Sequence, residues 1–88
     1  MAYRIATLAR VEKELAGLPR DAKRLSDRIG KLADDPRPRG CLPVRAAPHG
    51  TYRVRVGDYR VIYVVLDTEK LVIVTRVRRK GKDTYQGL

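Results

Sequence analysis

The sequence predicts an α+β domain in the order strand, helix, helix, loop and three strands. Two observations set this class. Before Pro36, apolar residues recur at helical intervals, and after Gly50 they alternate or run together in β-branched blocks between tight turns. A third bounds the size: 88 residues suffice for one modest core and not for two, so residues 1–88 form a single domain.

Tyr3 to Ala6 suit a short first strand, and Thr7 stands where an N-cap is expected. Leu8, Val11, Leu15 and Leu18 then share one helix face, with Arg10, Glu12, Lys13 and Glu14 on the other. Gly17 and Pro19 break the pattern. Pro19 suits the first turn of a second helix, where Asp21 complements the dipole. Ala22, Leu25, Ile29 and Leu32 give that helix its apolar stripe, and Asp34-Asp35-Pro36 ends it. The two helices read as a hairpin. From Pro36 to Gly50 the chain is irregular, and only Leu42 to Arg45 suit an extended stretch.

Tyr52-Arg53-Val54-Arg55-Val56 alternates strictly, and Gly57-Asp58 forms a two-residue hairpin turn. Tyr59 to Leu66 is almost wholly apolar, as in a strand covered on both faces. A polar turn, Asp67 to Lys70, leads to a last strand, Leu71 to Val77. Arg78 to Leu88 reads as a basic tail without regular helix.

The net charge is +10, from 20 Lys+Arg against 10 Asp+Glu. Such an excess in a short chain favours a polyanion partner over a merely solvated surface. No stretch has the roughly 20 apolar residues of a membrane helix, and no membrane partner is expected. A single cysteine, Cys41, excludes an internal disulfide and fits a reducing, cytoplasmic location. No Cys/His cluster suggests a metal, and no glycine cluster suggests a cofactor phosphate.

The hairpin turn fixes a register: Val56 with Tyr59, Arg55 with Arg60, Val54 with Val61 and Arg53 with Ile62. Arg53, Arg55 and Arg60 therefore share one face. Arginines directly opposite each other oppose folding, and an anion held between them reverses that. If Leu66 pairs with Leu71, Arg60 lies beside Val77, and Arg78, Arg79, Lys80 and Lys82 arrive near the same edge. Tyr85 either stacks on a base or packs back on the sheet. Tyr52, Tyr59 and Tyr63 alternate onto the opposite, core face.

Protein acids and bases are scarce, and His49 and Cys41 sit in loops without partners at a telling spacing. RNA carries its own nucleophile, the 2′-OH, and needs chiefly alignment and charge stabilisation. Composition permits a substrate-assisted ribonuclease, and equally a basic nucleic-acid-binding module without chemistry.

The segment Tyr52-Arg53-Val54-Arg55-Val56-Gly57-Asp58-Tyr59-Arg60-Val61-Ile62-Tyr63 resembles the signature hairpin of the RelE/ParE toxin superfamily. The stretch DDPRP, Leu42 to Arg45 and the tail RVRRKGKDTY occupy the corresponding places. The resemblance implies a curled antiparallel sheet with the helical hairpin packed on it. It further implies a type II toxin: a ribosome-dependent endoribonuclease (mRNA interferase) acting without metal or cofactor. Its expected partners are the ribosome, mRNA and a cognate antitoxin, through which alone it oligomerises. Carried over singly, the family's catalytic positions fall on Arg53 and Arg55, on Arg60, on a tail base (Arg79, Lys80 or Lys82) and on Tyr85. Arg45, Arg76, Arg78 and Arg79 are expected to contact RNA. Arginines stand at Arg53 and Arg55 where the best-known member has lysines, which leaves the general base open between Lys80 and Lys82. The alternatives are the ParE branch, whose target is DNA gyrase, and a non-catalytic basic binding module.

Overall fold

The computed structural model describes residues 2–79. Its elements are β1 (Arg4–Thr7), α1 (Ala9–Ala16), α2 (Ala22–Lys31), β2 (Leu42–Pro43), β3 (Thr51–Val56), β4 (Tyr59–Leu66) and β5 (Leu71–Arg79). The strands form one sheet in the order β1-β5-β4-β3-β2. The α+β class holds, with two corrections to the sheet. Leu42 and Pro43 form an additional short edge strand against Tyr52 and Arg53. The sheet is mixed, because β1 lies parallel to β5, with Arg4 opposite Leu71 and Thr7 opposite Val74. A parallel neighbour needs a long crossover, and the chain between the two strands supplies it.

The helices cover one face of the sheet. Val11 of α1, Leu25 and Ile29 of α2, and Leu32 just beyond pack on Val54, Val56, Tyr59, Val61, Tyr63, Val65, Val72, Val74 and Val77. The tyrosines assigned to this side by alternation are there: Tyr59 and Tyr63 are buried, and Tyr52 is half-buried and stacked on Tyr63. Both predicted helix starts are displaced. Thr7 ends β1 and hydrogen-bonds Glu12, while Leu8 takes the N-cap position without a side-chain bond. Pro19 lies in the turn before α2, and Asp21 is its N-cap residue. Instead of capping, Asp21 accepts from Arg24 Nη2 at 3.1 Å and from the Tyr59 hydroxyl at 3.0 Å. The helix N-terminus is thereby tied to β4.

Beyond Thr7 the edge of β5 is no longer covered by β1, and α1 takes over. Arg10 Nε donates to the Thr75 carbonyl at 2.7 Å, and Glu14 accepts from the Val77 backbone N–H at 2.8 Å. The same carboxylate pairs with Arg76 at 3.2 Å. Side chains of α1 therefore stand in for a missing strand, which keeps the edge from templating further pairing.

At the far end of the sheet, Arg37 grips Asp67 with both terminal nitrogens, at 3.2 and 2.7 Å, and its Nε donates to the Tyr52 hydroxyl. The Tyr3 hydroxyl donates to the same carboxylate at 2.6 Å. Arg37, followed by the Tyr3 hydroxyl, holds Asp67 down at about 2, and the carboxylate in turn raises Tyr3. This cluster fastens the loop after α2 to the β4–β5 turn and to the strand that starts the fold.

Candidate nucleic-acid interface

The face of the sheet away from the helices carries the charge. The β3–β4 register is the one expected from the turn, with Arg55 opposite Arg60 and Arg53 opposite Ile62. Gly57 adopts a φ of 59° at the first central position, the type II′ arrangement that suits strand twist. Val56 and Tyr59 close the hairpin, so Arg55 and Arg60 form a non-hydrogen-bonded pair, with Cα atoms about 4.5 Å apart.

The β4–β5 pairing departs from expectation. The register starts with Leu66 opposite Leu71 but shifts between Ile62 and Tyr63. Thr75 is the extra residue, and its hydroxyl donates to the Ile62 carbonyl at 3.2 Å. One inserted residue moves every later partner by one place. Arg60 therefore pairs with Arg78 instead of Val77, and Ile62 with Arg76. The strand also runs on through Arg79, past the expected end at Val77.

The bulge produces a transverse row, Arg55–Arg60–Arg78, across three adjacent strands. A second row, Arg53–Ile62–Arg76, lies one step along. Arg55 is exposed, whereas Arg53, Arg60 and Arg78 are half-buried. Ile62, between Arg53 and Arg76 in the second row, is fully buried. Hydrogen-bonded pairs such as Arg60 and Arg78 sit about 5.5 Å apart at Cα, so three arginines stand side by side with Arg60 in the middle. Nothing in strand pairing favours that; a phosphate with charge to share among three forks does.

The sequence matches, over residues 5–84, the family described as the ParE toxin of type II toxin–antitoxin system, parDE. This chain belongs to the RelE/ParE toxin superfamily. It is 30% identical over 83 residues to a protein named toxin RelE1 from Methanocaldococcus jannaschii, with 91% of this chain and 92% of that protein covered. Among solved structures it resembles the archaeal RelE–RelB complex of Pyrococcus horikoshii OT3 (TM-score 0.81, 30% identity, 93% of this chain and 99% of that one). It also resembles the RelBE2 toxin–antitoxin complex of Mycobacterium tuberculosis (TM-score 0.79, 27% identity, 91% and 100%).

As a toxin of this superfamily the chain has only part of its expected site within the described residues. Arg53, Arg55, Arg60, Arg76 and Arg78 occupy two neighbouring rows of the sheet. Arg76 is already engaged by Glu14, with only 22% and 20% of the two side chains exposed. Arg79 is not on this face. It lies over the Tyr59 ring at 5.6 Å and donates to its hydroxyl, which raises its own pKa. Strand alternation turns residue 79 away from residue 78, so the bulge that brings Arg78 in sends Arg79 to the helix side. Arg45 is exposed and lines a separate cleft of about 330 Å³ with His49 and Tyr52. Lys80, Lys82 and Tyr85 lie outside the described residues. Sequence reasoning missed the direct pairing of Arg78 with Arg60, because nothing in the residue pattern marks Thr75 as a bulge. No described helix is long and apolar enough to cross a membrane. No group of three or more His, Cys, Asp or Glu among the described residues could hold a metal ion.

Proposed function

We propose that this toxin is a ribosome-dependent endoribonuclease that cleaves mRNA using the RNA's own 2′-OH, with no call on a metal. The observation that carries the reading is the Arg55–Arg60–Arg78 row, a like-charge ladder that makes sense around a phosphate. The 2′-oxygen attacks the adjacent phosphorus, the P–O5′ bond breaks, and a 2′,3′-cyclic phosphate and a free 5′-OH result. One proton leaves the 2′-OH and one reaches O5′. Arg55, Arg60 and Arg78 stabilise the charge that builds on the phosphoryl oxygens. Arg53 positions the backbone one row away. Arginine hardly deprotonates, so Lys80 or Lys82 assists the proton transfers and Tyr85 stacks on a base.

The relatives solved as complexes contain RelB antitoxins, and a cognate antitoxin is the expected partner here. An acidic or amphipathic segment laid over the rows would neutralise them and exclude mRNA. The name of the matching family favours one second reading, inhibition of DNA gyrase.

Translation in a purified bacterial system, with mRNA ends mapped by primer extension, tests the proposal. Cuts within the ribosome-occupied codon, absent without ribosomes and reduced about 10²–10³-fold or more for Arg60→Ala, are expected. Intact mRNA, with loss of gyrase supercoiling in a parallel assay, would transfer the protein to the gyrase branch.

A further inference from the structure

Arg78 completes the arginine row, yet it stands where β5 is least supported. The outer edge of β5 is covered by β1 from Leu71 to Val74, and side chains of α1 reach it as far as Val77. Among the described residues no backbone group bonds that edge at Arg78 or Arg79, so β4 alone pairs with the last two residues. Strand ends held on one side fray. Charge adds to the load, because Arg60, and Arg55 beyond it, repel Arg78 across the row. Of the three arginines, Arg78 is the one that would give way.

The helix side of the sheet opposes this. Strand alternation turns Arg79 to that side, across from Tyr59 in a non-hydrogen-bonded pair, where side chains come closest. The Arg79 guanidinium lies over the Tyr59 ring at 5.6 Å, and its Nη2 donates to the hydroxyl at 3.4 Å. A tyrosine hydroxyl has one proton, and this one gives it to Asp21 Oδ2 at 3.0 Å. The other Asp21 oxygen accepts from Arg24, whose guanidinium lies beside Gly57 of the hairpin turn. Tyr59 is 3% exposed, so its ring is a fixed platform. The chain of donors runs one way, from the end of β5 through Tyr59 to the start of α2. It ends on a carboxylate in a domain with 20 Lys+Arg against 10 Asp+Glu.

We propose that Tyr59 and Asp21 are positioning residues for phosphate: by clasping Arg79 on the helix side, they hold its neighbour Arg78 in the row on the other side. The inference rests on the phosphate reading of the row given above. Successive residues of a strand point to opposite faces, so a rotation that released Arg79 would carry Arg78 out of the row. With Arg78 already in place, phosphate need not order it on binding, and the clasp raises affinity without touching the ligand.

The test titrates inorganic phosphate into the parent, Tyr59→Phe, Asp21→Ala, Arg78→Ala and the double variant Tyr59→Phe/Arg78→Ala. Hydrogen exchange at the Arg78 amide is followed by NMR in the same proteins. That amide bonds the Arg60 carbonyl in this register, so it reports the end of β5 directly. Tyr59→Phe and Asp21→Ala should each speed its exchange and weaken phosphate binding by about 2–10-fold, the worth of one net hydrogen bond. The core amides of Val61 and Val72 should exchange as in the parent, which separates a loosened strand end from a loosened fold. In the Arg78→Ala background, Tyr59→Phe should have no further effect on phosphate. A packing role for Tyr59 would weaken binding equally with or without Arg78, and that result would overturn the inference. So would unchanged exchange or affinity in either Tyr59→Phe or Asp21→Ala, or equal speeding at all three amides. Loss of binding in Arg78→Ala beside full binding in Tyr59→Phe and Asp21→Ala keeps the phosphate row and removes the clasp. If Arg78→Ala instead binds phosphate as the parent does, the phosphate row is refuted and Arg78 has no such role to be positioned for.

Discussion

Replacing Arg55 with threonine should make the free toxin more stable while weakening its hold on phosphate. Arg55 is exposed, and it faces Arg60 in a non-hydrogen-bonded pair, the closer of the two antiparallel pairings. Like charges directly opposite cost about 0.2–1 kcal/mol. Threonine fits a pleated, half-solvated strand and removes the repulsion. In a domain of this size 1 kcal/mol moves the melting temperature by about 4–8 °C, so a rise of about 1–8 °C is expected. Thermal melts at about 10 mM salt, where the Debye length is roughly 30 Å, should show the full difference. At about 1 M salt, with a screening length near 3 Å, the difference should shrink. Inorganic phosphate should reverse the order: at ten times its Kd a ligand adds about 1.4 kcal/mol, and the parent binds it better than the variant does. If Arg55→Thr melts below the parent at low salt, the row is not strained, and the argument for an anion among the three arginines fails.

Glu14→Ala strips the Val77 N–H and Arg76 of their acceptor and should lower stability by about 1–3 kcal/mol in urea unfolding, whereas Glu14→Gln, which keeps one acceptor, should lose less. Equal losses would mean that Glu14 acts through packing alone. Asp67, held by Arg37 and Tyr3 at about 2 in the fold, has an ordinary carboxylate pKa of about 3.9 when unfolded. Its stabilisation is complete above pH 4 and is lost as the pH falls through 2. The stability gap between the parent and Asp67→Asn should therefore close between pH 4 and pH 2, and a constant gap across that window would refute the pairing. Gly57→Ala forces an alanine to a φ of 59° and sets its Cβ 2.7 Å from Arg24 Nη2. A loss of about 1–2 kcal/mol is expected. Adding Arg24→Ala should recover little of it, because the side chain can swing aside and the backbone cannot.

Local pattern made much of this protein legible. Alternation in Tyr52 to Val56 and a two-residue turn at Gly57-Asp58 give the β3–β4 register outright, since a hairpin of fixed loop length leaves no freedom to slip. The apolar stripe of Leu25, Ile29 and Leu32 marks the buried side of α2 for the same local reason. The candidate site was legible up to Arg60, because Arg53, Arg55 and Arg60 all belong to that hairpin.

The third member of the arginine row was decided by the tertiary structure. One residue of bulge at Thr75 exchanges Val77 for Arg78 beside Arg60 and turns Arg79 over to Tyr59. No local signal marks it, because it sits where β5 leaves β1 and gains the side chains of Arg10 and Glu14 along its edge. Likewise Arg37 meets Asp67 across 30 residues. The sequence by itself determined the elements, their faces and the hairpin's basic pair, all of which depend on neighbours a few residues apart. The packing of β5 against α1 determined which arginines stand together, because that register is set by contacts between segments that only the folded chain brings side by side.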